Sequence, residues 1–163
     1  MFSPEIVTLA QALIDVARAQ SIRLVTAESC TGGLVAAAIC HIAGASDVFE
    51  RGFVTYSNRA KQEMLGVPGD LIADMGAVSE PVARMMAEGA LKHSNGQLAV
   101  SITGVAGPGG GTPMKPVGTV HLAVARINHG VKHVHERFDL ADREAIQLAA
   151  VASALRLMRE RLS

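Results

Sequence analysis

The chain has 163 residues, and 15 lysines and arginines balance 15 aspartates and glutamates to a formal charge of zero. That balance excludes a broad basic face for nucleic acid. Hydrophobic residues make up 49% but aromatics only 3%, with no tryptophan and one tyrosine, so the core is aliphatic and there is no platform for stacking single strands.

The length suits a single domain over residues 1–163 with one sizeable core. The longest apolar run, Leu34 to Cys40, is far short of the roughly 20 residues a bilayer requires, so no membrane association is expected. The N-terminus carries no basic-then-apolar signal pattern. Two cysteines close together, Cys30 and Cys40, read as reduced thiols in a cytoplasmic protein rather than a disulfide.

Ser3-Pro4-Glu5 opens a helix with a capping serine, proline at the first position and an acid in the first turn. Apolar residues from Ile6 to Ala17 keep helical spacing, ending near Gln20. Ile22 to Ala27 reads as a buried strand that stops at Glu28-Ser29-Cys30-Thr31-Gly32-Gly33. Leu34 to Ile42, small and apolar, suits a helix packed on a sheet. Gly52 to Tyr56 reads as a second strand, and Asn58 as the cap of a helix running through Lys61 to Gly66. Pro68 to Met75 is a short helix. Ser79-Glu80-Pro81 repeats the opening signal for a helix ending near His93.

Leu98 to Thr103 is a third strand, followed by a glycine-rich loop from Gly104 to Val117 that is too long to be only a turn. Gly118–Ile127 and Val131–Phe138 form a hairpin through Asn128-His129-Gly130. Asp139 to Leu162 closes the chain as a long helix. Strands separated by helices require crossovers and parallel pairing; the hairpin adds one antiparallel neighbour. The expected fold is a three-layer α/β/α sandwich with a mixed, mostly parallel sheet.

In open α/β sheets, sites form beyond the carboxyl ends of the strands. Three such ends converge here. At the first, Ser29 sits at a strand-to-helix turn, where the N–H groups around Thr31, Gly32 and Gly33 can hold an oxyanion or a phosphate. Spacing alone fits a helix cap at Ser29 or Thr31 as well as a nucleophile. At the second, Tyr56 precedes Lys61, an amine in the first turn of its helix. The helix dipole and partial burial both lower such an amine's pKa towards that of a general base; a solvated surface lysine is the alternative. Tyr56 stands where it can relay a proton or orient the amine. At the third, Thr103 and Gly104 lead into glycines whose N–H groups can wrap an anion, with Lys115 further along. Arg143, at the start of the last helix, can reach a phosphate or form an ordinary surface ion pair.

None of the six histidines is placed to act as base. His121 reads as a packing residue and His133 and His135 as solvated. They lack the third ligand a zinc site needs, so no metal is expected.

Several strings in register resemble the signature of the CinA C-terminal domain family, the nicotinamide-nucleotide amidohydrolases. They are Ala27 to Gly33, Val54-Thr55-Tyr56-Ser57-Asn58 with Lys61, Ser101 to Pro108, and Lys115 to Val120. The resemblance implies a three-layer fold and hydrolysis of the carboxamide of nicotinamide mononucleotide. It implies Ser29 as nucleophile, Lys61 as base and Tyr56 assisting, with Thr103 and Gly104 binding substrate or oxyanion. It implies no metal and no organic cofactor. Ala141 and Gln147 stand where the pattern leads one to expect glycine and a second arginine, which bears on phosphate contacts from the last helix. The expected partner is a small-molecule nucleotide substrate, and alanine-rich helices near the site are compatible with a homo-oligomer.

Overall fold

The computed structural model describes residues Met1–Ser163. The helices are α1 (Pro4–Ala19), α2 (Leu34–Cys40), α3 (Asn58–Leu65), α4 (Gly69–Met75), α5 (Glu80–Lys92) and α6 (Arg143–Glu160). The strands are β1 (Leu24–Glu28), β2 (Phe49–Val54), β3 (Leu98–Gly104), β4 (Thr119–Arg126) and β5 (Gly130–Arg137), with a short 3₁₀ turn at Ala45–Asp47. Local chemistry accounts for most boundaries. The Ser3 hydroxyl accepts the Ile6 N–H at 3.3 Å ahead of Pro4. Ser79 accepts the Val82 N–H at 3.4 Å in the same way.

Among the boundaries that differ from those expected, three have a plain physical reason. β2 runs from Phe49 to Val54 rather than from Gly52 to Tyr56, because its partner β1 sets its length. The parallel ladder pairs Leu24 with Phe49 and ends with Glu28 opposite Val54. Ser57, not Asn58, caps α3, accepting the Ala60 N–H at 3.0 Å. The last helix begins at Arg143 rather than Asp139, since Asp142 accepts the Ala145 N–H at 2.8 Å and fixes the start.

The sheet order is β2-β1-β3-β4-β5. β1 pairs in parallel with both β2 and β3, and β4 pairs antiparallel with both β3 and β5. So β4 alone runs against the others. The segment after β3 turns back instead of crossing over, which adds an antiparallel pair to the expected hairpin.

Helices α1, α2 and α6 cover one face around an aliphatic core that includes Leu13, Ile39, Leu98, Leu122 and Leu155. Helices α3, α4 and α5 cover the other face over Val25, Val82 and Met86. The chain is therefore a three-layer α/β/α sandwich. α5 lies close on the end of α3: a Cβ at Gly89 would stand 2.0 Å from the Leu65 carbonyl oxygen. That approach holds the C-terminal end of α3 against α5. At the neighbouring ends of β1 and β3 the connections part, β1 leading back through α2 to β2 and β3 leading away to β4, which makes the switch point at which ligands bind in such sheets. No helix is long and apolar enough to cross a membrane.

Candidate active site

β1 ends at Glu28, whose side chain is fully buried. A carboxylate in that position is tolerable only with donors around it. It accepts the Thr31 hydroxyl at 2.6 Å, the Val35 N–H at 2.9 Å and the Ala36 N–H at 3.0 Å. The last two are among the open donors at the start of α2, so Glu28, not Ser29 or Thr31, caps that helix. Gly32 and Gly33 take φ values of +56° and +100°, which a side chain would resist, and they turn the chain into α2. The Ser29 N–H bonds the Ile102 carbonyl at 2.9 Å, and the Ser29 carbonyl accepts the Gly32 N–H at 3.0 Å. The Ser29 backbone is thus tied to β3 and to its own turn, and its hydroxyl is left free for another partner.

That partner is Lys61. Its side chain is only 1% exposed. Nζ lies 3.1 Å from Ser29 Oγ and 2.9 Å from the Thr55 carbonyl oxygen. Burial pulls the amine below the usual lysine range, because removal from water disfavours the charged form. The neighbouring Cys30 thiol is pushed up to about 12, also by burial, so it stays neutral and places no anion beside the amine. A hydroxyl against a desolvated amine is a nucleophile against a base.

The cleft over this pair has a volume of about 290 Å³ and is bounded by Tyr56, Val78, Arg143 and the Val105–Gly110 loop. The N–H groups of Cys30, Ala106, Gly107 and Gly109 donate to no backbone carbonyl, and all four residues line the cleft. Arg143 spans the opening, donating to the Gly107 carbonyl and to the Tyr56 hydroxyl, both at 2.7 Å.

Several candidate residues have other roles. The Tyr56 hydroxyl meets Arg143, not Lys61, and the ring is 61% exposed at the cleft mouth. It does not orient the amine; Thr55, one residue earlier, does so through its carbonyl. Thr103 borders the cleft, but its hydroxyl proton goes to the Ala77 carbonyl at 2.8 Å. Gly104 is required by the close pass of β4, since a Cβ there would stand 2.8 Å from the Thr119 carbonyl oxygen. Thr31, Gly32 and Gly33 build the turn and do not line the cleft.

The sequence reading assigned no site role to Glu28, to Ala77 and Val78, which line the cleft, or to Gln147. An acid closing an apolar strand was a usable signal for the first, because a buried carboxylate demands donors. Gln147, where an arginine was expected, donates Nε2 to the Cys30 carbonyl at 2.9 Å.

No histidine lines this cleft. His121, His133 and His135 gather on β4 and β5, with His121 Nδ1 2.8 Å from His133 Nε2 and the His121 and His135 rings stacked at 4.4 Å. His133 is not solvated as expected, since it packs against Glu80 of α5; His135 is exposed, as expected, and His121 packs between the two, where burial lowers it to about 4. A wider groove of about 910 Å³ lies beside them on the other side of Val78. Its serine, Ser79, gives its proton to the Gly76 carbonyl at 2.8 Å. The groove therefore lacks an activated nucleophile, and the smaller cleft is the site with chemistry.

The CinA C-terminal domain family model matches residues 6–162. The nicotinamide-nucleotide amidohydrolase PncC of Escherichia coli K12 is 48% identical over 158 residues, covering 97% of this chain and 95% of that protein. A CinA-like protein of Akkermansia muciniphila is 54% identical over 125 residues, 77% of this chain and 30% of that protein; this chain spans about a third of the length of such CinA-like relatives. The crystal structure of the competence/damage inducible protein CihA from Agrobacterium tumefaciens superposes with a TM-score of 0.96 at 46% identity, covering 99% of this chain and 98% of that one. The chain belongs to the CinA C-terminal domain family.

Proposed function

We propose that this family member hydrolyses the carboxamide of nicotinamide mononucleotide, giving nicotinate mononucleotide and ammonia, with Ser29 as nucleophile and Lys61 as base. The observation that carries the reading is the 3.1 Å contact between the buried Lys61 amine and Ser29 Oγ. The full-length match to a nicotinamide-nucleotide amidohydrolase supports the substrate class.

In this mechanism neutral Lys61 takes the Ser29 proton as Oγ attacks the carboxamide carbon. The Cys30 N–H and the N–H groups of the Ala106–Gly109 loop hold the oxyanion of the tetrahedral intermediate. The Lys61 ammonium returns its proton to the departing nitrogen, which leaves as ammonia. Lys61, neutral again, deprotonates a water that attacks the acyl carbon, and it returns that proton to Ser29 Oγ as the C–Oγ bond breaks and the acid is released. Arg143, with Tyr56, holds the nucleotide phosphate at the cleft mouth. Binding the nucleotide remote from the amide brings the carboxamide up to Ser29.

The test is ammonia release from nicotinamide mononucleotide by the wild type, Ser29→Ala and Lys61→Ala. Release by the wild type and its loss in both variants is expected. Wild-type protein that binds the nucleotide yet releases no ammonia identifies a nucleotide-binding module instead, and release confined to other carboxamides in a substrate panel identifies a different amidase.

A further inference from the structure

We propose that the turn carrying Ser29 is clamped from two sides, by Glu28 from within the sheet and by Gln147 from α6. Together these positioning residues hold the Cys30 N–H in line as an oxyanion donor. The inference rests on the reading of Ser29 as nucleophile.

The turn from Ser29 to Gly33 lies between β1 and α2, outside both ladders. Something else must fix its peptide planes, because an oxyanion donor works only when it is aimed before the reaction begins. The two planes on either side of Cys30 have identifiable anchors. The Ser29 carbonyl accepts the Gly32 N–H, and since the N–H of a peptide points opposite its C=O, this sets the direction of the Cys30 N–H. The next carbonyl, on Cys30, has Gln147 Nε2 as its hydrogen-bond partner at 2.9 Å. That contact fixes the rotation of Cys30 between the two planes. Below them, Glu28 gathers Thr31 Oγ1 and the first N–H groups of α2 onto one buried carboxylate, so the turn is closed from inside as well.

Gln147 stands four residues after Arg143, on the same face of α6. One helix face therefore holds both banks of the cleft, Arg143 the Gly107 loop and Tyr56, and Gln147 the nucleophile turn. A carbonyl acceptor needs a donor, not a particular residue. Arginine, the side chain the family pattern leads one to expect here, supplies a donor as well.

The experiment compares Gln147→Leu, Gln147→Arg and Glu28→Gln with the wild type by steady-state ammonia release from nicotinamide mononucleotide, with thermal unfolding as the check on folding. Gln147→Leu keeps the volume and removes the donor. It is expected to lower kcat by roughly 10–100-fold, somewhat less than the loss of an oxyanion donor itself, with KM within about 3-fold. Gln147→Arg is expected to stay within about 3-fold of the wild type in kcat. Glu28→Gln turns an amide donor towards donors and is expected to lower kcat in the same way. Gln147→Leu with unchanged kcat, a loss in KM alone, or Gln147→Arg as impaired as Gln147→Leu overturns the clamp. If Ser29→Ala keeps wild-type turnover, the reading of the nucleophile fails first; if Ser29→Ala is inactive and the Gln147 variants are normal, only the clamp fails.

Discussion

Lys61→Met removes the proposed base while keeping an unbranched side chain in the same space. The wild-type side chain is almost wholly buried, and its amine makes two hydrogen bonds. Losing them costs about 1 kcal/mol each. Against that, the depressed pKa means that the folded state holds the ammonium less favourably than water does, and relief of a buried charge amounts to several kcal/mol before pairing is counted. The net expectation is a protein as stable as the wild type or more stable by up to about 2 kcal/mol, a rise of roughly 0–8 °C in Tm for a domain of this size. Turnover should fall by about 10²–10⁴-fold. The stability gap should also depend on pH. Below the folded pKa of Lys61 both folded and unfolded wild type carry the proton, and the burial penalty is present in full. As pH rises from that depressed value towards 10.5, the folded amine releases its proton first and the wild type gains on the variant. Ammonia release and urea denaturation at several pH values, with the variant as reference, check all three. Retention of more than about a tenth of wild-type kcat would refute the base assignment, since general-base catalysis contributes at least ten times that margin. An inactive variant destabilised by more than about 2 kcal/mol would refute the energetic argument, because two lost hydrogen bonds would then outweigh the charge.

Arg143→Ala frees both Tyr56 and the Gly107 loop, and is expected to raise KM for nicotinamide mononucleotide about 10-fold or more with a smaller effect on kcat; steady-state kinetics with the nucleotide and with free nicotinamide separate phosphate binding from chemistry. Gly89→Ala replaces glycine with the best helix former, a local gain of about 1 kcal/mol, yet its Cβ would enter the Leu65 carbonyl. A net loss of about 1–3 kcal/mol in urea denaturation is expected, and a stabilised variant would show that α3 and α5 are not held that closely. The histidine cluster faces Glu80 and Arg84 from α5 and Lys115 from the loop. Burial depresses both His121 and His133, so the unfolded chain takes up protons first as pH falls. Stability is complete above pH 6.5 and is expected to decline by up to about 2 kcal/mol towards pH 4, after discounting for partial exposure. His121→Gln should flatten that slope in circular-dichroism melts.

The layers were legible because helix starts and buried strands carry their own chemistry. Ser3-Pro4 and Ser79-Pro81 mark α1 and α5, and the five residues of β1 are all buried. β2 was misplaced by a few residues because an edge strand takes its limits from a neighbour, which periodicity cannot reveal. At the site, the sequence placed Ser29, Lys61, Tyr56 and Thr103 at one sheet edge through the parallel order of β1, β2 and β3. It could not tell which neighbour each side chain would choose. Tyr56 turned to Arg143, 87 positions away along the chain, and Gln147 reached Cys30 across 117. Contacts of that span depend on how α6 docks, and no local pattern encodes them.

The position of Glu28 makes the serine–lysine pairing workable. A carboxylate one residue from the nucleophile would, if it faced the amine, hold Lys61 as an ammonium and raise its pKa. Instead both Glu28 oxygens turn to the start of α2 and to Thr31, where the positive end of the helix favours an anion. The amine is left with a hydroxyl and a carbonyl, neither of which carries a charge. Burial then outweighs the opposing influence of the Cys30 thiol, and the same residue that shapes the nucleophile turn keeps the base free to accept a proton. Moving that carboxylate by one methylene, in Glu28→Asp, should therefore disturb the turn before it affects the Lys61 titration, and kcat should fall without a shift in the acid limb of the kcat–pH profile. An acid limb moved to higher pH would mean that the shortened carboxylate had found the amine, and that its allotment to α2 is what sets the base.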